Sequence, residues 1–420
     1  MSIAIIGLAS LFFLGHGLSW FFAKTKIPDL LILVIGGYIL GPILGILHVS
    51  DFGKVGDIVS TLALIVILYE GGLHLSTKDL LSSSLPAAGL AVLGFIFTII
   101  VGVIAVYGIA LQPLPIALLV GIGIGSTSSA IVIPMVQYLS LEDKTKTILS
   151  LESAFTDVLT IVIFLVVVDG MAQGAFAATD LLIGLGPHTL IAAFWGICSA
   201  LIWAFIKKRF AQLIPKAFAG EAWALLTYGL LDLSGLNGAI GVLALGFVLA
   251  NLYLLPDWMK DLLSRDPVSF SDLTLLKEIT FLLRTFFFLY LGILIKFSDW
   301  KIVAIAFFIC ILIFASRYIA VLLLYKPNKY KKLDAMVTTA MGPRGLACAV
   351  LATLPIQRGI EGGEWIQNLL FAIIPISIVF TALFVSLSES EKFRSRFGRL
   401  FNKFSENGES QSEHQILSNT

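Results

Sequence analysis

The sequence predicts an all-α, polytopic membrane protein, and three observations carry that prediction. Hydrophobic residues make up 58% of the 420-residue chain and charged ones 13%, with a mean hydropathy of +0.97, a composition that water does not solvate as an ordinary globular domain. The apolar residues fall into about thirteen runs long enough to cross a hydrocarbon core of about 30 Å. Basic residues also sort by side. With the N-terminus outside, the inner loops hold about 21 of the 28 Lys and Arg, while the outer loops hold Lys54, Lys296, Lys301 and Arg358. That asymmetry calls for an odd number of spans in the cell membrane, with the N-terminus outside and the C-terminus cytoplasmic.

In chain order the spans run near residues 3–22, 28–47, 55–73, 85–109, 114–139, 146–169, 179–206, 217–232, 236–254, 272–295, 300–325, 335–355 and 364–387. The first lacks a basic n-region and a cleavage site, so it reads as a span and not as a removed signal peptide. Two blocks of six spans separated by a linker span enter the membrane from opposite faces, the inverted-repeat arrangement of many secondary transporters. The fifth span of each block carries small residues and proline where a lipid-facing helix would carry Leu. Gly125, Ser126 and Pro134 mark the first and Gly342, Pro343 and Gly345 the second, which predicts two broken helices crossing at the midplane. Residues 1–388 form the transmembrane domain. The tail, 389–420, is basic and then polar and serine-rich; it is expected to be cytoplasmic, partly disordered, and too short for a nucleotide-binding domain.

Charges inside spans are expensive and point to function by default. Glu152 and Asp157 share the sixth span, five residues apart and so rotated by about 140°, which assigns them to different neighbours. Asp157 lies on a polar stripe with Ser150, Ser153 and Thr160 and reads as the exchangeable site. Depth, at about 1.5 Å per residue, matches Glu152 to Arg317, and brings Arg284 and Arg344 to the level of Asp157. Glu152, Arg317, Arg284 and Arg344 are therefore expected in structural ion pairs. Asp157, Thr156 and Ser153, with Thr127 and Ser128 from the first broken span, are expected to hold cation and proton. Other chemistry finds no support. The run Gly121, Gly123, Gly125 lacks the strand and acidic partner of a dinucleotide fingerprint; HExxH and GxSxG are absent; Cys198, Cys310 and Cys348 have no paired spacing; and no massed basic patch suggests nucleic acid. No cofactor is expected.

Six strings in order, LYEGGL at Leu68–Leu73, STSSA at Ser126–Ala130, ESAFTD at Glu152–Asp157, GLNGAIGVLALGFVLAN at Gly235–Asn251, RTFFFLYLG at Arg284–Gly292 and GPRGLA at Gly342–Ala347, resemble the monovalent cation/proton antiporter superfamily. The resemblance spans about residues 1–388. It implies a homodimer, a core with two crossed broken helices moving against a dimerisation domain, and an aspartate, here Asp157, that binds cation and proton alternately. It also implies a basic residue near the site at Arg284 and a Glu152–Arg317 pair. Thr156 stands where electrogenic members carry a second Asp, and STSSA is closer to the potassium-efflux branch than a TDP-like string. Na+ and K+ both stay open as the transported cation that Asp157 would ligate. The reading is a secondary active transporter, not an enzyme, exchanging Na+ or K+ for protons electroneutrally by alternating access; the alternative is a cation channel or uniporter.

Overall fold

A computed structural model describes residues 2–25, 28–52, 55–75, 77, 85–172, 174, 186–210, 212–213, 218–264, 268–295, 299–390, 393 and 398–405. Among the described residues there is no β-strand, and one isolated bridge joins Lys331 to Ser405. The principal helices are α1 (Ser2–Thr25), α2 (Asp29–Tyr38), α3 (Val55–His74), α4 (Leu85–Val103), α5 (Leu114–Gly123), α6 (Ser129–Gln137), α7 (Asp143–Ala172), α8 (Gly186–Arg209), α9 (Ala219–Leu233), α10 (Gly238–Ala250), α11 (Phe270–Leu294), α12 (Trp300–Leu324), α13 (Lys332–Ala340), α14 (Leu346–Leu351) and α15 (Gly363–Glu389). Five are long and apolar enough to cross a membrane: α4 with its π-helical continuation to Ile109, α7, α8, α12 and α15.

Local chemistry sets several helix starts. Ser269 and Asp272 form a reciprocal capping box on α11, the side chain of Asn237 accepts from Ile240 N–H to start α10, and Asp299 caps α12. Helix packing then divides the molecule in two. In one group α10 lies against α3 and α8, and α11 against α2, with α1 and α9 around them. In the other, α12 packs on α4 and α15, and α7 on α4, α5 and α6. The first group is held by close backbone approach: a Cβ on Gly37 of α2 would lie 2.0 Å from the Leu289 carbonyl, and one on Gly292 of α11 2.2 Å from the Val34 carbonyl.

The tail is expected to be only partly disordered, and where it is described, at 398–405, it packs on the helices. Phe401 and Phe404 are buried beside Tyr318, Tyr325 and Tyr330, Lys332 N–H donates to the Ser405 carbonyl at 2.9 Å, and the Tyr318 hydroxyl donates to the Leu400 carbonyl. Two aromatic side chains leaving water are sufficient reason for this segment to dock. The remainder of the predicted tail, 406–420, lies outside the described residues.

Candidate functional site

Two interruptions build the site. After Gly123 the chain leaves the helix and re-enters it at Ser129; after Ala340 it does so again until Leu346. Gly125 and Ser126 fall in the first interruption, and Gly342, Pro343 and Gly345 in the second. Pro134 does not: it sits inside α6, where it removes the N–H that would bond back to the Ala130 carbonyl without ending the helix. The interruptions touch each other. Ser128 N–H donates to the Pro343 carbonyl at 2.8 Å, and a Cβ on Gly345 would lie 2.0 Å from Ser128 Oγ. Glycine is required at 345 by that approach.

Asp157 stands near the middle of the 30-residue α7. Its Oδ2 accepts from Ser129 Oγ at 2.6 Å and from Ser129 N–H at 3.3 Å, which places the carboxylate at the N-terminus of α6, the positive end of that helix. Its Oδ1 is buried and accepts no hydrogen bond of normal geometry among the described residues; the Ser126 hydroxyl, which also makes none, interacts with the carboxylate from nearby, and the Thr160 hydroxyl is likewise without a partner. The other predicted binding residues lie one step back. Thr156 Oγ1 accepts from Thr127 N–H at 3.1 Å, the two threonine hydroxyls are 3.0 Å apart, and Thr156 donates to the Ser153 carbonyl. Ser153 donates to the Ser150 carbonyl. Thr127 and Thr156 thus tie the first interruption to α7, and Ser128 ties it to the second interruption, while Ser153 bonds only within α7; Ser129 is the residue that donates to the carboxylate. Sequence reasoning missed Ser129 because its role depends on where the helix resumes.

Glu152 and Arg317 meet in a bidentate pair, 2.5 Å from Nη1 to Oε1 and 3.0 Å from Nη2 to Oε2, with both side chains 2% exposed. Arg317 also donates from Nε and Nη2 to the Thr338 carbonyl in the last turn of α13, so its guanidinium satisfies a carbonyl at the C-terminal end of that half-helix. Arg344 has a different role from the ion pair expected for it. Its Nη1 donates to the Ser126 carbonyl at 2.5 Å, its Nη2 reaches Thr98 Oγ1 at 3.4 Å, and its own N–H donates to Ser377 Oγ. It braces one interruption against the other. Arg284 does form an ion pair, but with Asp29 of α2 at 3.7 Å and in the other helix group; no contact joins it to Asp157 among the described residues.

Two interrupted helices that touch each other beside a half-buried carboxylate are an arrangement found in secondary transporters. The chain belongs to the transmembrane sodium/hydrogen exchanger family, whose profile matches residues 8–388, and with it to the monovalent cation/proton antiporter superfamily. It is 25% identical over 398 residues to the K(+)/H(+) antiporter NhaP of Alkalimonas amylolytica, covering 92% of this chain and 66% of that protein. It is 27% identical over 370 residues to the K(+)/H(+) antiporter NhaP2 of Shewanella sp. (strain MR-4), covering 85% of this chain and 61% of that one. The chain thus spans less than two thirds of the length of these relatives. Against the Na(+)/H(+) antiporter 1 of Methanocaldococcus jannaschii it is 27% identical over 372 residues, covering 86% of this chain and 84% of the other. The structure of the sodium proton antiporter MjNhaP1 from the same organism at pH 8 shares the fold, with a TM-score of 0.67 at 22% identity over 91% of this chain and 98% of that one.

Proposed function

We propose that this chain exchanges a monovalent cation, Na+ or K+, for a proton across the cell membrane, with Asp157 as the group that takes one or the other. The observation that carries the proposal is the Asp157 carboxylate itself, midway along α7, held through one oxygen at the N-terminus of α6 and buried through the other with no hydrogen bond of normal geometry. An ionised carboxylate is costly in a low-dielectric interior, and either a bound proton or a bound alkali cation offsets that cost. Cation and proton therefore compete for Oδ1, so apparent cation affinity weakens as pH falls. Thr127 and Thr156 keep the first interruption seated on α7, so that Ser129 stays aimed at the carboxylate.

In this reading the chain crosses the membrane thirteen times as inverted six-helix repeats, with α5–α6 and α13–α14 as the broken helices crossing at the midplane. The N-terminus is outside and the C-terminus cytoplasmic. The helix group containing Asp157 moves against the other, which forms the homodimer, and alternating access results. Residues 1–388 make up the exchanger domain. The relatives named as Na(+)/H(+) and K(+)/H(+) antiporters support the cation class. The test is everted membrane vesicles carrying an acid interior and a pH-sensitive dye, challenged with Na+, K+ or Li+. Dye recovery on cation addition is expected and ranks the cations; no recovery with correctly inserted protein sinks the proposal.

A further inference from the structure

At the C-terminal end of α7, the outer end in the proposed orientation, Asp169 accepts a hydrogen bond from Asn237 Nδ2 at 2.5 Å and lies 3.3 Å from Arg358 Nε. Asp169 and Arg358 belong to the helix group that holds Asp157. Asn237 belongs to the other group, where its Oδ1 accepts from Ile240 N–H at 3.1 Å and caps α10. One side chain is thus anchored in one group and donates to a carboxylate of the other. Beside this contact is a cavity of about 200 Å³, walled by the polar Asp232, Asn237 and Arg358 and by the apolar Leu64, Leu165 and Val350. Leu165 is 2% exposed, and it stands eight residues, about 12 Å, along α7 from Asp157. The cavity therefore ends on apolar side chains short of the carboxylate.

We propose that the Asn237–Asp169 hydrogen bond is a clasp that holds the outer access to Asp157 closed, and that it opens whenever the two helix groups shift; the proposal rests on the alternating-access reading above. Two features suit a clasp. The cap bond to Ile240 fixes the direction of the Asn237 amide, so the donor is aimed before the groups meet. Arg358 stays with Asp169 when Asn237 leaves, so opening does not strand a lone carboxylate. Asn237 and Asp169 are positioning residues here, acting on which side reaches Asp157 and not on the ion.

Asn237→Asp tests this, because Asp preserves the cap acceptor while replacing the donor with a carboxylate that faces Asp169. The readout is a Leu165→Cys reporter labelled from outside intact cells with a membrane-impermeant maleimide, with the chain lacking the reporter setting the background from Cys198. Labelling in the Asn237→Asp protein should be about tenfold faster than with Asn237, the size expected for one charge-assisted hydrogen bond. Adding Asp169→Asn restores a donor and an acceptor in exchanged positions and should slow labelling towards the parent rate, which loss of packing alone would not do. Equal labelling in all three overturns the clasp. If Asn237→Asp does not reach the membrane, Asn237→Ser retains a cap with a side chain too short to bridge, and the same comparison decides. Labelling needs no ion turnover, so a parent that fails to exchange cations refutes the proposed function while the clasp is still judged.

Discussion

Replacing Glu152 by Gln takes one charge from a pair that water barely reaches, and the size of the loss can be worked from the contacts. Arg317 makes two hydrogen bonds to Glu152 and two to the Thr338 carbonyl. Removing one partner of a buried pair costs about 3 to 5 kcal/mol. Gln retains an oxygen for one guanidinium N–H and leaves the Thr338 contacts intact, so Glu152→Gln belongs near the lower figure. Arg317→Met strips Glu152 of both donors and the Thr338 carbonyl of its own, and belongs near the upper one. With an unfolding entropy of about 2.1 cal/mol/K per residue, this corresponds to melting points lowered by about 3 to 6 °C. Thermal unfolding of the purified protein in detergent, followed by tryptophan fluorescence, measures it. The exchanged pair Glu152→Arg with Arg317→Glu should recover part of the loss but not all, since Glu at 317 has no donor for Thr338. Were both single variants to melt at the parent temperature, the pair would contribute nothing to the fold and the reasoning fails.

Asp157→Asn should abolish exchange in the vesicle assay while the protein elutes and melts as a folded species, because Asn still accepts from Ser129 but cannot be neutralised by a cation. Gly345→Ala should slow exchange and destabilise the fold by the overpacking cost of about 1 to 3 kcal/mol, a melting point lower by about 1 to 3 °C, because its Cβ meets Ser128; Gly229→Ala, with open space around it, is the control. Parental exchange by Gly345→Ala would show that the crossing tolerates separation. With Thr156 beside Asp157 and arginine unable to release a proton at working pH, exchange should be one for one, and its rate with Na+ in liposomes should not respond to a potential clamped by valinomycin and K+. A rate that rises with imposed potential requires a second titrating group.

Depth along a helix was readable from the sequence, and direction around it was not. Counting residues from the inner face matched Glu152 to Arg317, and the structure joins them. The same counting set Arg284 level with Asp157, but α11 packs on α2, and the guanidinium meets Asp29, which reads in sequence as an ordinary start of a span after Pro28. Small residues located both interruptions, because few other compositions leave a helix there, but of the two prolines only Pro343 falls in a break and Pro134 sits inside α6. The small residues did not locate where α6 resumes, and that single boundary decides whether Ser128 or Ser129 faces the carboxylate. Arg344 had no legible partner at all, since its acceptor is the Ser126 backbone carbonyl, which any residue carries. Phe401 and Phe404 stand among serines and charges, and their burial depends on the distant Tyr318, Tyr325 and Tyr330, which no local pattern announces.

Interrupting two helices side by side creates a problem of charge that the site residues answer. Each break exposes carbonyls at one half-helix end and N–H groups at the other, all away from bulk water, where an unsatisfied backbone group costs several kcal/mol. Arg317 covers the carbonyl end of α13 and Arg344 the first interruption after α5, while the N–H end of α6 is given to Asp157. The arginines cannot lose their charge. Arg317 is balanced by Glu152, so it contributes little net field, whereas Arg344 has no acidic partner among the described residues and acts electrostatically on Asp157. Asp157 is then the one charge at the crossing that is both needed for the balance and free to be neutralised from outside. A carboxylate fully enclosed by donors would gain nothing from a cation, and one with no donors would not stay ionised to receive it. Two hydrogen bonds from Ser129 to one oxygen and none to the other lie between those limits, and this asymmetry is what supports the proposal that Asp157 is the exchanging group.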